Sequence, residues 1–280
     1  MWTGPKQKMP TTAICIAGAA RGFGSSNVTA SLQHMRRLLS CNGTSDIFLH
    51  LKFYEPCERG EDSCGAASSS AFSIDQFGRA LRALRPIAFL DVDDRRDDTD
   101  AVQAGGCIGN ASSVGPICRT GREYSCKFQE QFKRLRRCYD LVVAYEQQHS
   151  ISYKWVVRLR PDLIVDHHQH FGFCESARSR VERYSNGQTH GDHFARLTRR
   201  DARVYFAAGA AADQCVPLTH LQRRCHATIA DGEHVFPECL LTHHLRTHNV
   251  SAELKEHQAF VKGTMVRSDG GMRKDLTSWW

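Results

Sequence analysis

The sequence predicts an α/β fold, a single domain with a mainly parallel central sheet and helices on both faces. Three observations carry that prediction. Apolar runs of strand length alternate with amphipathic segments at helical spacing. The runs are apolar almost throughout, as strands covered on both faces are. At 280 residues, with 41% hydrophobic and 24% charged residues, the chain can bury a sizeable core and has no disordered or fibrous bias.

The elements follow in order. Residues 12–18 (TAICIAG) form an apolar run closed by glycine, which reads as a buried strand entering a tight loop. Val28, Leu32, Met35 and Leu39 recur at helical spacing and predict a helix over 28–39. Residues 46–54 (DIFLHLKFY) read as a second strand, 74–84 as a helix stopped by Pro86, and 87–92 (IAFLDV) as a third strand. A Gly-, Ser- and Asp-rich excursion over 95–122 precedes a helix over 127–148. The apolar stripe of that helix is Phe128, Phe132, Leu135, Tyr139, Val142 and Tyr145. Residues 154–159 (KWVVRL) give a fourth strand, 203–208 a fifth, and 237–247 a final helix. No internal repeat or linker divides the chain. The reading is therefore a disordered segment at 1–11, one domain over 12–262 with a cysteine-rich insertion at about 95–125, and a tail over 263–280.

Twelve cysteines with no C-x-x-C pair argue against zinc ribbons and thioredoxin motifs. Cysteines in polar loops, such as Cys57, Cys64, Cys107 and Cys118, read as disulfides and so as an oxidising compartment. Cys15, inside an apolar run, reads as a buried free thiol. Four of the five asparagines (Asn27, Asn42, Asn110 and Asn249) sit in N-x-S/T sequons, which points to a secretory lumen. The polar residues 1–10 carry no signal-like apolar stretch, so the expectation is a luminal domain whose targeting or anchor segment is missing from this chain. No apolar run is long enough to span a bilayer, so no membrane contact is expected of this segment. The net charge of +7 suits a solvated basic surface or an anionic ligand such as a nucleotide diphosphate, and no nucleic-acid-binding signature accompanies it.

Gly18, Gly22 and Gly24, after a strand and before a helix, resemble the glycine fingerprint of short-chain dehydrogenases. Those enzymes need a Tyr-x-x-x-Lys pair for proton transfer, and none of the seven tyrosines has a lysine four residues on. An NAD(P)-dependent dehydrogenase is thus the least favoured of three readings. The loop keeps its physical meaning, since glycines let backbone N–H groups approach phosphates and Arg21 adds a positive charge.

Two acidic sites end strands. Asp91 and Asp93 have the Asp-x-Asp spelling but run into Arg95-Arg96-Asp97-Asp98, a charge run typical of a solvated loop. Asp162 follows a strand carrying Arg158 and Arg160 on one face. Two arginines on a buried strand cost heavily unless anions pair with them. Pro161 ends the ladder and leaves Asp162 at the strand's carboxyl end, where open α/β sheets bind ligands. An internal Arg–Asp network that only stabilises the sheet remains the alternative.

The stretch Tyr153-Lys154-Trp155-Val156-Val157-Arg158-Leu159-Arg160-Pro161-Asp162-Leu163 resembles the Tyr-Asp-x-Val-Ile-Arg-x-Arg-x-Asp-Leu signature of a broad group of GT-A-like glycosyltransferases. The opening strand with its Gly-Ala-x-Arg-Gly-Phe loop, Asp46-Ile47-Phe48-Leu49-His50, the segment 192–206 and Pro237-Glu238-Cys239-Leu240-Leu241 are similar to further parts of that pattern, in the same order. Thr198 stands where the pattern has proline and Lys154 where it has aspartate. The resemblance implies a GT-A-like, Rossmann-like domain that moves a sugar from a nucleotide-sugar donor to a glycan or glycoprotein hydroxyl, in the Golgi or a neighbouring secretory compartment. A non-catalytic glycan-binding or degenerate transferase domain is the alternative. On this resemblance Gly18, Arg21, Arg158 and Arg160 contact the donor, and Asp192 and Arg199 shape the acceptor side. Asp162 holds Mn2+ or Mg2+ or the donor sugar, with Asp91 and Asp93 as the fallback metal ligands. Glu238 is either the base that deprotonates the acceptor or a carboxylate favoured by its helix dipole. His244 and His248, four apart on a helix, lack an evident third ligand and read as partly buried histidines rather than a zinc pair.

Overall fold

The computed structural model describes residues 11–20, 22–40, 43–52, 74–91, 124–165, 176–183, 190–209, 237–250, 263–266 and 272–273. A six-stranded sheet organises them. In chain order its strands are β1 (Thr12–Ala19), β2 (Ser45–Lys52), β3 (Ala88–Asp91), β4 (Trp155–Leu159), β6 (Arg180–Arg183) and β7 (His190–Thr198). They lie side by side as β3-β2-β1-β4-β7-β6. The first four are mutually parallel, whereas β7 runs antiparallel to β4 and to β6. The sheet is therefore mixed but mostly parallel, in an α/β arrangement consistent with a Rossmann-like fold.

Why β1 reads as one continuous apolar run is now visible. Ala13, Cys15 and Ala17 face one core, while Ile14 and Ile16 face the other. Small side chains on the first face leave room for Phe132, Leu135, Tyr139 and Val142 of the long helix α3 (Tyr124–His149). On the second face α1 (Ser26–Leu39) and α2 (Ile74–Leu84) bury Val28, Leu32, Met35, Leu39, Ala80 and Leu84. Each of the larger side chains contributes about 1.5–3 kcal/mol by its burial. Ser25 caps α1 by accepting from the Val28 N–H, and Arg36 ties α1 to its neighbours by donating to the Leu84 and Ser45 carbonyls at 2.7 and 2.8 Å. The first face is completed by α4 (Arg199–Tyr205) and α5 (Pro237–Thr247), which supply Ala202, Tyr205, Leu240, Leu241 and Leu245.

Four expectations need correction or extension. Residues 203–208, predicted as a strand, begin inside α4. Thr198 caps that helix by accepting from the Asp201 N–H at 3.2 Å, and Ala202 and Tyr205 then fall one helical turn apart on the buried side. Cys15 is not a free thiol. It forms a disulfide with Cys138 on α3, whose Cα lies 6.0 Å away. Strands β6 and β7 were not predicted, because β7 buries Asp192, His193 and Arg196 among its apolar residues and so lacks an apolar signature. Gly263, where the C-terminal tail was expected to begin, opens β8 (Gly263–Val266), which pairs with β5 (Leu163–Val165) and β9 (Met272–Arg273) in a second, three-stranded sheet.

Two of the sequon asparagines lie among the described residues, Asn27 and Asn249, and both are exposed. Asn249 has a further role. It stands just past α5 with φ 52°, the left-handed conformation that ends many helices. The Val250 N–H donates to the Leu245 carbonyl and the Asn249 N–H to the Arg246 carbonyl, which completes the cap.

His50 on β2 is fully buried, and among the described residues neither ring nitrogen has a hydrogen-bond partner. Burial, with Arg137 and Arg134 nearby on α3, brings its pKa down from 6.5 to about 4. The neutral ring is thus the folded form. Its contribution to stability is complete above about pH 6.5 and is lost as the pH falls toward 4. Denaturation midpoints measured across that window are expected to fall for the wild type and to flatten for His50→Leu. An unchanged slope in the variant would assign the effect to other groups.

Candidate functional site

The site is built where the strand order reverses. From β1 the chain goes to β2 on one side, and β4 lies on the other, so β1 and β4 flank the switch point. Ligands of open α/β sheets bind outside the carboxyl ends of such strands. Here those ends are Gly18 with its loop and Arg160-Pro161-Asp162. The two meet directly, since a Cβ placed on Gly18 would lie 3.2 Å from Pro161 Cδ. Gly18 also has φ 140°, and Gly22 and Gly24 have φ 61° and 98°, conformations that favour glycine. Gly18→Ala is accordingly expected to cost about 1–3 kcal/mol in stability and to push the β4 edge outward, with a lower thermal midpoint as the readout.

Arg158 is buried. Its Nη1 donates to the carbonyl of Ala17 at 2.5 Å and to that of Leu159, bracing β1 against β4. Burial brings its pKa down to about 10, although Tyr205, Asp192 and Asp162 favour its charged form. Arg160 grips Asp162 with both edges of a fork, Nε to Oδ1 at 2.9 Å and Nη2 to Oδ2 at 2.8 Å. Its Nη1 lies 3.8 Å from Asp192 Oδ2 on β7. Asp192 is held from two further sides, accepting from Gln131 Nε2 of α3 and lying 3.7 Å from His193 Nε2. Burial alone would raise the Asp192 carboxyl, yet His193, Arg160 and Arg158 together hold it below the usual carboxylate range. The sequence-predicted residues Gly18, Arg158, Arg160, Asp162 and Asp192 thus share one edge of the sheet. Gln131 and His193 join them unannounced; His193 adjoins Asp192 in sequence, whereas nothing in the sequence marks Gln131.

Two of the other predicted residues, Arg199 and Asp91, stand away from this cluster. Arg199 is a correction. It follows β7 at the end level with the start of β1, since Thr198 pairs with Trp155 and Thr12 also pairs with Trp155. The stretch of β7 from Asp192 to Thr198, about 20 Å, separates it from Asp192. There Arg199 binds Glu146 through Nε at 3.0 Å and Nη2 at 2.5 Å and lies over the Tyr139 ring, while Glu146 also accepts the Tyr153 N–H. That arrangement fastens α4 to α3 and has no part in the Asp162 edge. Asp91 ends β3, level with Gly18 through Leu51 but three strands from β4, about 14 Å sideways. Glu238 is half-buried in the first turn of α5, which packs on β7 and α4. Arg21 and Asp93 lie outside the described residues.

A divalent cation of the Mn2+ or Mg2+ type needs oxygen ligands with open coordination positions. Both Asp162 oxygens are engaged by Arg160, and Asp192 is flanked by Arg160, His193 and Gln131. Two guanidinium groups already balance the two carboxylates. As they stand, these residues do not fit a divalent cation, and among the described residues no group of three His, Cys, Asp or Glu side chains could hold one. No described helix is long and apolar enough to cross a membrane. Compared with protein-family models and with curated proteins, the chain matches none.

Proposed function

We propose that this chain is a GT-A-like glycosyltransferase of the secretory pathway, moving a sugar from a nucleotide-sugar donor to a hydroxyl of a glycan or glycoprotein.

 The supporting observation is the junction at the sheet's switch point, where the Gly18 loop touches Pro161 and the Arg158, Arg160, Asp162 and Asp192 cluster shares its edge. A glycine loop opening onto a helix suits a diphosphate, and two arginines beside it, Arg158 buried and Arg160 partly exposed, suit the same group. In this reading Gly18 and Arg21 meet the nucleotide, Arg158 and Arg160 serve the diphosphate, Asp192 lies toward the acceptor, and Glu238 is the base. The Cys15–Cys138 disulfide and the exposed sequon asparagines support a secretory lumen such as the Golgi.

A second reading rests on a specific observation. Asp162 and Asp192, the two carboxylates of the cluster, are both held by Arg160, which also suits a degenerate, glycan-binding domain without donor turnover. A panel of UDP-, GDP- and CMP-sugars, with NADH included, separates the readings by thermal shift followed by sugar-release assays. The transferase reading expects one nucleotide to raise the midpoint and its sugar to be released, and Glu238→Gln to abolish release while retaining binding. Glycan binding with no nucleotide effect would support the second reading, and a response to NADH alone would revive the dehydrogenase.

A further inference from the structure

The geometry points to a donor site that takes its diphosphate directly on Arg160, without a divalent cation, with Asp162 acting as the residue that positions the guanidinium. This rests on the transferase reading and specifies its recognition chemistry. The observation behind it is which partner of the ion pair faces outward. The Arg160 side chain keeps 20% of its surface exposed, whereas that of Asp162 keeps 1% and that of Asp192 3%. A ligand arriving at the carboxyl ends of β1 and β4 therefore meets a guanidinium before it meets a carboxylate. That order suits an anion and disfavours a cation.

The details of the pairing agree. Asp162 uses both oxygens on Nε and Nη2 of Arg160, which fixes the plane of the guanidinium. A fork held along one edge is oriented before the ligand arrives, so less conformational entropy is lost on binding. The Arg160 backbone is fixed as well, because its N–H donates to the His193 carbonyl at 3.0 Å. Arg158 stands behind it, buried and bonded to the Ala17 carbonyl, and adds positive charge. A metal at Asp162 would first have to pull Arg160 away and then sit between two arginines.

The test uses inorganic pyrophosphate and UDP as probes, titrated calorimetrically into the intact chain with either EDTA or Mn2+ present. The expected result is the same affinity within about twofold in both conditions, at least tenfold weaker binding for Arg160→Met, and a similar loss for Asp162→Asn. The double variant Arg160→Met/Asp162→Asn should lose no more than Arg160→Met alone, a non-additivity that a purely structural Asp162 would not produce. Circular dichroism of each variant identifies any that fails to fold, and Arg160→Lys, which keeps the charge but not the fork, then serves instead with an intermediate loss. Binding seen only with Mn2+ would overturn the inference and leave the transferase reading standing. No binding of either probe in either condition would overturn both.

Discussion

Asp162→Ala is expected to lower the unfolding free energy by about 3–5 kcal/mol, because it strips a buried counter-charge from Arg160 and leaves the neighbouring Arg158 with one fewer carboxylate. Against a typical total of about 5–15 kcal/mol this is the largest single-residue effect the site should show. Urea unfolding followed by circular dichroism measures it. The cause can be checked with Arg160→Met/Asp162→Leu, which removes both charges and fills similar volume. Replacing a buried pair in that way is often close to neutral, so the double variant should recover most of the loss. A loss below about 1 kcal/mol for Asp162→Ala would mean that water already solvates the pair.

The second large effect belongs to Cys15–Cys138. The bond joins residues 123 apart in sequence, and closing a loop of that length removes enough freedom from the unfolded chain to stabilise the fold by about 4–5 kcal/mol in the chain-entropy account. Cys15→Ala/Cys138→Ala, or reduction of the wild type, should therefore lower the denaturation midpoint strongly. Both sulfurs lie in the core between β1 and α3, so reduction should be slow until the protein opens. Mass mapping of the unreduced protein should recover the Cys15 and Cys138 peptides linked. An unlinked pair with unchanged stability would refute this prediction and weaken the case for an oxidising compartment.

Much of the parallel half of the fold was legible because its signals are local. TAICIAG, DIFLHLKFY and KWVVRL are largely apolar runs, and β1, β2 and β4 lie in the sheet where those runs placed them, within a residue or two at either end. The α1 and α3 stripes were equally plain, since Val28, Leu32, Met35 and Leu39, and Phe132, Leu135, Tyr139 and Val142, all face a core. The antiparallel half was hidden by its chemistry. In β7 the buried residues include Asp192, His193 and Arg196, and Arg196 lies 3.4 Å over the Trp155 ring, a stacking that no periodicity reveals. Residues 203–208 misled for the opposite reason. Val204, Tyr205 and Phe206 favour strands locally, but the Thr198 cap and the packing of Tyr205 against the core set a helix. Cys15 misled because its partner sits on a helix far along the chain.

The candidate site divides in the same way. Gly18, Arg158, Arg160 and Asp162 were found because a glycine after one strand and a charged end on another both mark the carboxyl edge of a sheet. Which strands would be neighbours, and so which carboxylate would stand beside the glycine, depended on topology. That choice set Asp162 beside Gly18 and left Asp91 three strands away. Arg199 was grouped with Asp192 by sequence proximity, yet a strand carries its residues apart, and most of β7 lies between the two.

The position of β1 at the middle of the sheet has a consequence for biosynthesis. It is the earliest of the sheet strands in the chain, and β2 covers one of its edges soon after. The other edge waits for β4, and 143 residues separate Thr12 from its partner Trp155. At about 5–20 residues per second, a ribosome takes roughly 7–30 s to deliver the partner. Throughout that interval a strand as apolar as TAICIAGA presents an unpaired row of backbone donors and acceptors, the kind of edge on which chains aggregate. Chaperone capture of nascent chains that end between residues 60 and 150 should therefore exceed capture of chains long enough to include β4.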